Sequence, residues 1–290
     1  MVWPPVQKLE RRSMAVALGD ARNRKFEYLA RLGYGARGLI YVIVGWLALM
    51  AAFGAGGQTT DTQGALRTIL GQPYGKVLLG IVGAGLIGFA LWRAVQAIKD
   101  VDHHGGEAKG LAIRAGFGVS AVTHLLLAAL AFSLIFTISL PGGGGGGGGD
   151  SSTQDWTATL LRQPFGQWLV GLVGLAVVGA GIAQFVKGYR QTYERYLDMR
   201  RHELDKVAPI CIFGLMARGV VFLIIGGFLI VAAYQADPGE ARGLAGALRM
   251  VQEQPWGWAL LGVVGLGLIA FGVYSLIEAV YRRVDMPEPV

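Results

Sequence analysis

Gln72-Pro73-Tyr74-Gly75 returns as Gln163-Pro164-Phe165-Gly166 and again as Gln254-Pro255-Trp256-Gly257, 91 residues apart both times. The same offset carries Gly80 and Gly83 onto Gly171 and Gly174, then onto Gly262 and Gly265. Upstream, Gly64-Ala65-Leu66-Arg67 is matched by Gly246-Ala247-Leu248-Arg249, and Ala36-Arg37-Gly38 by Ala217-Arg218-Gly219. The middle copy has drifted at that last place and reads Val119-Ser120-Ala121. A fixed period of this length marks a chain built from repeated supersecondary units. Each unit reads as a helix, a loop with a short amphipathic segment, the Gln-Pro-aromatic-Gly turn, and a glycine-rich helix.

Hydropathy says where these helices lie. Hydrophobic residues make up 53% of the 290 positions and charged residues 16%, and the charges are clustered. Gly38–Thr60 has 23 uncharged residues, Ala115–Gly149 has 35, and Gln163–Val186 and Gln254–Ile277 have 24 each. Gly219–Ala236 has 18 and extends upstream to Pro209; Val77–Trp92 is bounded by Lys76 and Arg93, which can snorkel. A bilayer core needs about 20 apolar residues in a helix, and buried backbone groups must bond within the segment. The expectation is an all-α integral membrane fold with six spans, near 32–56, 74–98, 115–140, 165–187, 210–234 and 257–281. Three helix hairpins, each crossing twice, share one orientation and imply a pseudo-threefold axis along the membrane normal. The divisions are a basic tail 1–29, repeat one 30–100, repeat two 112–190, a charged linker 191–209, repeat three 210–283 and a tail 284–290.

Lys and Arg divide unevenly between the two faces: 21 on the side of both termini and only 5 on the other. This predicts that both termini lie in the cytoplasm. The net charge of +7 is therefore a topology signal, and no soluble basic module offers a nucleic-acid surface. Cys211, the single cysteine, excludes an intrachain disulfide and a cysteine metal cluster. The first 30 residues lack the apolar core and cleavage site of a signal peptide. Residues 20–31 suit either a short surface helix or a frayed tail. The proline of the repeated motif is expected at the first helical position, where its missing N–H costs nothing. The aromatic beside it is expected at the outer interface, and the repeated glycines are expected to let helices pack closely.

Together, Gly33-Tyr34-Gly35-Ala36-Arg37-Gly38-Leu39-Ile40-Tyr41, the Gly-Ala-Leu-Arg and Gln-Pro-Tyr-Gly motifs and Ala270-Phe271-Gly272-Val273-Tyr274-Ser275 resemble the bacterial membrane family catalogued as domain of unknown function 1206. The resemblance covers about residues 30–283 and implies repeated pairs of transmembrane helices, usually three. It implies a membrane location and no activity. The eight-glycine run 142–149 and the weakened second Ala-Arg-Gly depart from the pattern.

Ionisable residues within spans are the natural candidates for a site. Arg37 and Arg218 are equivalent cations that could hold lipid phosphate or an anionic substrate, or could simply snorkel; their place near the helix ends favours snorkelling. Gln96, Lys187 and Glu278 form another set at the offset of 91, either ringing a vestibule with Lys187 paired to Glu278 or lying in headgroup water. His124 falls where the other copies have Tyr41 and Phe222, which favours packing over ligation. His103 and His104, with Asp100, Asp102 and Glu107, have hard and borderline metal ligands but no known metal spacing. No catalytic constellation assembles, and no cofactor is expected. The sequence favours a structural or accessory subunit partnered by the bilayer and by a larger membrane complex or its own copies. A small transporter or channel on the pseudo-threefold axis is the alternative, and a metal- or haem-binding membrane enzyme the third.

Overall fold

The computed structural model describes residues 6–55, 58–136 and 150–283, with side chains from residue 27 onward. The glycine run 142–149 and the tail 284–290 lie outside the described residues. The elements are α1 (Val6–Ala52), α2 (Thr62–Leu70), α3 (Gly75–Lys99), α4 (Ala108–Phe136), α5 (Asp150–Leu161), α6 (Gly166–Tyr189), α7 (Arg201–Gln235), α8 (Leu244–Gln252) and α9 (Gly257–Tyr281). Among the described residues six helices are long and apolar enough to cross a membrane: α3, α4, α6, α7, α9 and the Glu27–Ala52 part of α1. The helix expected to start near residue 32 instead continues back to Val6, and residues 201–209 form the first turns of α7.

The Gln-Pro-aromatic-Gly motif is a turn rather than a helix start at proline. The amide of Gly75 donates to the carbonyl of Gln72 at 2.8 Å, Gly166 to Gln163 at 2.9 Å, and Gly257 to Gln254 at 2.7 Å. Proline occupies the first corner of each turn. Tyr74, Phe165 and Trp256 occupy the second, all left-handed at φ near 60° and each at the N-cap of the following helix. Proline suits that corner because its ring presets φ, and the second corner needs positive φ. Glycine is required next for lack of space: a Cβ on Gly75, Gly166 or Gly257 would strike the carbonyl oxygen of Leu70, Leu160 or Gln252 respectively. The three aromatic rings point away from the protein, with Tyr74 85%, Phe165 78% and Trp256 76% exposed.

The long helices pack in the order α4, α3, α1, α9, α7, α6, each against the next. Small residues seven apart set the close approach of two helix pairs, α1–α9 and α7–α6. A Cβ on Gly38 or Gly45 of α1 would lie 2.9 or 2.6 Å from the carbonyl oxygen of Gly272 or Gly265 on α9. Gly219 and Gly226 of α7 stand in the same relation to Gly181 and Gly174 of α6, at 3.1 and 2.9 Å. Seven residues are nearly two helical turns, so both levels fall on one stripe of each helix. The corresponding α4–α3 contact places Gly83 against Phe132 and Ala131. In the neighbouring α1–α3 and α7–α9 contacts, Gly33 sits on the backbone of Phe89 and Gly214 on that of Phe271. Between α4 and α6 there is no comparable contact among the described residues. The helices therefore form an open series whose ends are the two helices of the middle repeat.

At the Gln-Pro end the short helices are tied together. Gln63 of α2 donates to the Ser152 hydroxyl of α5 at 2.7 Å. Asp61 caps α2 by accepting from the Gly64 amide at 2.9 Å. The matching cap of α8 falls on Gly243, which has no side chain, and Asp150 of α5 substitutes. Its carboxylate accepts from the amides of Gly243 and Gly246, both at 2.9 Å, and pairs with Arg249.

Candidate functional site

At the opposite end, Arg37, Arg93, Lys187, Arg218 and Arg282 converge with two carboxylates among the described residues, Glu278 and Asp102. The positions follow from the helix registers. Arg37 lies on the inward stripe of α1, one residue from Gly38, and is buried. Its Nη2 is 2.5 Å from Glu278 Oε2, and its Nε donates to the Ser275 hydroxyl at 3.2 Å. Glu278 also takes Arg282, whose Nη1 is 2.9 Å from Oε1. Asp102 is 3.6 Å from Arg282 and accepts from Gln96 at 2.6 Å. Gln96 in turn accepts from Arg93 at 3.1 Å.

The other three cations lack an ion pair among the described residues. Lys187 donates to the Tyr274 hydroxyl at 2.8 Å, so it does not pair directly with Glu278. Arg93 lies over the rings of Phe89 and Phe117, and Arg218 over Tyr41, Phe222 and Phe271. Arg37 shares two of those rings, lying over Phe89 and Phe271 at 4.9 and 5.3 Å. The result is an alternating stack: Arg93, Phe89, Arg37, Phe271, Arg218. Such contacts contribute about 0.5–2 kcal/mol each but leave the charge in place. The Nε atoms of Arg93 and Arg218 are buried and unbonded, as are the Nε of Arg282 and the Tyr193 hydroxyl. With every one of these groups ionised, five positive charges face two negative ones.

Backbone features hold the cluster from below. The segment after α6 runs beside the end of α9: Leu197 bridges Arg282, the Asp198 amide donates to Tyr281 at 2.7 Å, and the Arg283 amide to Tyr196 at 3.0 Å. This places Arg282 beneath Glu278 and over the ring of Tyr196. Tyr193 and Cys211 pack there, both buried. Arg31 bonds the carbonyls of Ala279 and Val280 at the end of α9, while Arg114 bonds those of Ala97 and Ile98 at the end of α3. Cations at helix C-termini complement the dipole.

Of the sequence candidates, Arg37, Arg218, Gln96, Lys187 and Glu278 all come together here. The snorkelling expected of Arg37 gives way to a buried ion pair, because α1 continues well beyond it and Glu278 faces it across the α1–α9 contact. His124 sits nearby, its ring 4.5 Å from that of Phe89 and its Nδ1 2.7 Å from the Ser120 carbonyl. His103 and His104 stay in the 100–107 loop, outside the cluster. There Asp100 accepts from the amides of His104 and Gly105, both at 2.8 Å, which hold its carboxyl below the usual 3.8. Among the described residues no three His, Cys, Asp or Glu side chains are placed to hold a metal ion. Sequence reasoning misses Arg93 and Arg282 as site residues and names Asp102 only as a weak metal ligand. One signal was available: the offset of 91 that groups Gln96, Lys187 and Glu278 also groups Asp100, Gln191 and Arg282.

A chain with six apolar helices and a charged cluster among them is a multi-pass membrane protein of the kind that keeps ionisable groups away from lipid. It belongs to the family described as Domain of Unknown Function (DUF1206), which matches residues 32–100, 115–191 and 213–282. It is also similar to the "Uncharacterized protein YxxB" of Bacillus subtilis (strain 168), 39% identical over 259 residues, covering 87% of this chain and 90% of that protein. No solved structure matches the chain.

Proposed function

We propose that the protein binds an anionic, phosphate-class group at the Arg93–Arg37–Arg218 stack, in the cytoplasmic half of a plasma-membrane helix series. The carrying observation is the imbalance: three guanidiniums and Lys187 lie among aromatic rings with one carboxylate shared between Arg37 and Arg282. A buried charge without a partner costs several kcal/mol, and a bound anion removes that cost. Guanidinium forks suit phosphate and carboxylate oxygens in particular. This favours ligand recognition over the purely structural or accessory role. The excess of Lys and Arg at the cluster's end supports cytoplasmic termini, and the repeated registers support an approximate threefold arrangement interrupted between α4 and α6.

The test is thermal unfolding of the detergent-solubilised full chain, followed by tryptophan fluorescence. Orthophosphate and phosphatidylglycerol micelles are each titrated at constant ionic strength, with phosphatidylcholine as the zwitterionic comparison. Saturable stabilisation by either anion, lost in the Arg93→Gln/Arg218→Gln variant, supports the reading. Stabilisation by neither overturns it.

A further inference from the structure

The opening between α4 and α6 has its own chemistry. Faces that are covered in the outer repeats are bare in the middle one. Gly33 rests on the Phe89 backbone, whereas Gly116, in the same register of α4, has nothing within 4 Å. Gly88 meets the Leu29 carbonyl, whereas its α6 counterpart Gly179 also has nothing within 4 Å. Phe89 and Phe271 correspond to Ala180, which is exposed, so the ring that would fill the gap is missing. The opening thus presents Gly116, Gly179 and Ala180 where the first repeat packs Gly33, Gly88 and Phe89.

Its basic end is the unbalanced cluster, reached by Lys187 from α6 and bordered by Phe117 and His124 from α4. The segment at 193–198, joined to the end of α9, lies against Arg282 on one side of that cluster. An occupant must therefore supply apolar bulk along the helices and negative charge at one end. A second copy of the chain would add more unpaired cations, whereas one phospholipid provides both properties.

We propose that the opening between α4 and α6 admits an acyl chain of an anionic phospholipid laterally from the bilayer, its phosphate seated at the Arg93–Arg37–Arg218 stack. This rests on the anion-binding reading above and adds the ligand class and its route. Phosphate on clustered basic groups between transmembrane helices is a known physical mode of lipid recognition. Gly179→Leu tests the route without touching the charges, since the added side chain enters free space and fills the place of the acyl chain.

The experiment is native mass spectrometry of the full chain after exchange into nanodiscs of equal phosphatidylglycerol and phosphatidylcholine. Wild type, Gly179→Leu and Arg93→Gln/Arg218→Gln are compared, with melting temperature and orthophosphate stabilisation recorded for each. The expected result is phosphatidylglycerol retained on wild type in preference to phosphatidylcholine. Gly179→Leu should reduce that retention about tenfold, the equivalent of 1.4 kcal/mol, at an unchanged melting temperature. The arginine variant should lose it as well. Undiminished retention in Gly179→Leu, or stabilisation by orthophosphate with no phosphatidylglycerol retained, overturns the lateral route and leaves anion binding standing. A second copy or another polypeptide bound in place of lipid also overturns the route. Binding of neither anion overturns both proposals.

Discussion

Replacing Glu278 by Gln removes the one carboxylate that bridges Arg37 and Arg282 while keeping its size and its capacity to accept hydrogen bonds. Both arginines are within 2.9 Å of it, and all three side chains are at most 6% exposed. Breaking a buried ion pair by neutralising one partner costs about 3–5 kcal/mol, because the remaining charge cannot be rehydrated. Asp102, 3.6 Å from Arg282, takes up part of that charge, so the lower end of the range, about 3 kcal/mol, is expected. Arg218→Gln is the informative contrast. It removes a cation that has aromatic neighbours and no carboxylate, from a group already in positive excess. In lipid-free detergent the loss of its three ring contacts, about 0.5–2 kcal/mol each, is offset by removing a buried charge without a carboxylate, so its net cost should stay well below that of Glu278→Gln. Equilibrium unfolding in mixed micelles with increasing dodecyl sulfate measures both. Equal losses for the two variants, or a Glu278→Gln loss under about 1 kcal/mol, would refute the charge accounting.

Asp150→Ala should cost about 1–2 kcal/mol in the same assay, since it uncaps α8 and leaves Arg249 unpaired. Asp150 is buried, so a cysteine there should label slowly from outside, whereas one at the exposed Asp155 should label fast. Gly88→Leu should prevent a folded monodisperse protein from eluting in size exclusion, because its Cβ would strike the Leu29 backbone, while Gly179→Leu should elute as wild type. The Asp100 carboxyl titrates below its ordinary value, so the stabilisation it gives the 104–105 turn is present above that value and disappears as pH falls through the lowered one. Amide exchange at His104 and Gly105, corrected for intrinsic rate, should thus stay protected at pH 5 and lose protection only below 3.8; loss of protection near pH 5 would contradict it.

Much of this architecture is legible in residue types and spacing. Long uncharged runs give the six apolar helices, and an invariant offset gives the repeated turn, because each depends on local chain properties. The motif's prolines illustrate where local reasoning fails: Pro73 suits a helix start and a turn corner equally well, and the glycine that decides for the turn does so by contact with the preceding helix. The site divides in the same way. Arg37 and Glu278 are visible as ionisable residues in apolar surroundings, but their pairing depends on α1 meeting α9, which are far apart in the chain. Arg93 and Arg282 look like interfacial anchors because hydropathy registers where a residue lies along a helix and not which side it faces. The opening at α4 and α6 is foreshadowed only by what the middle repeat lacks: an arginine at Ser120 and a phenylalanine at Ala180.

The most direct measurement is an experimental density map of the protein in nanodiscs containing phosphatidylglycerol. Bound anion density against the Arg93–Arg37–Arg218 stack, continuous with an acyl chain leaving between α4 and α6, is the result expected. Closure of α4 against α6, with the Arg93 and Arg218 guanidiniums turned to protein carboxylates and no density beside them, would contradict the account.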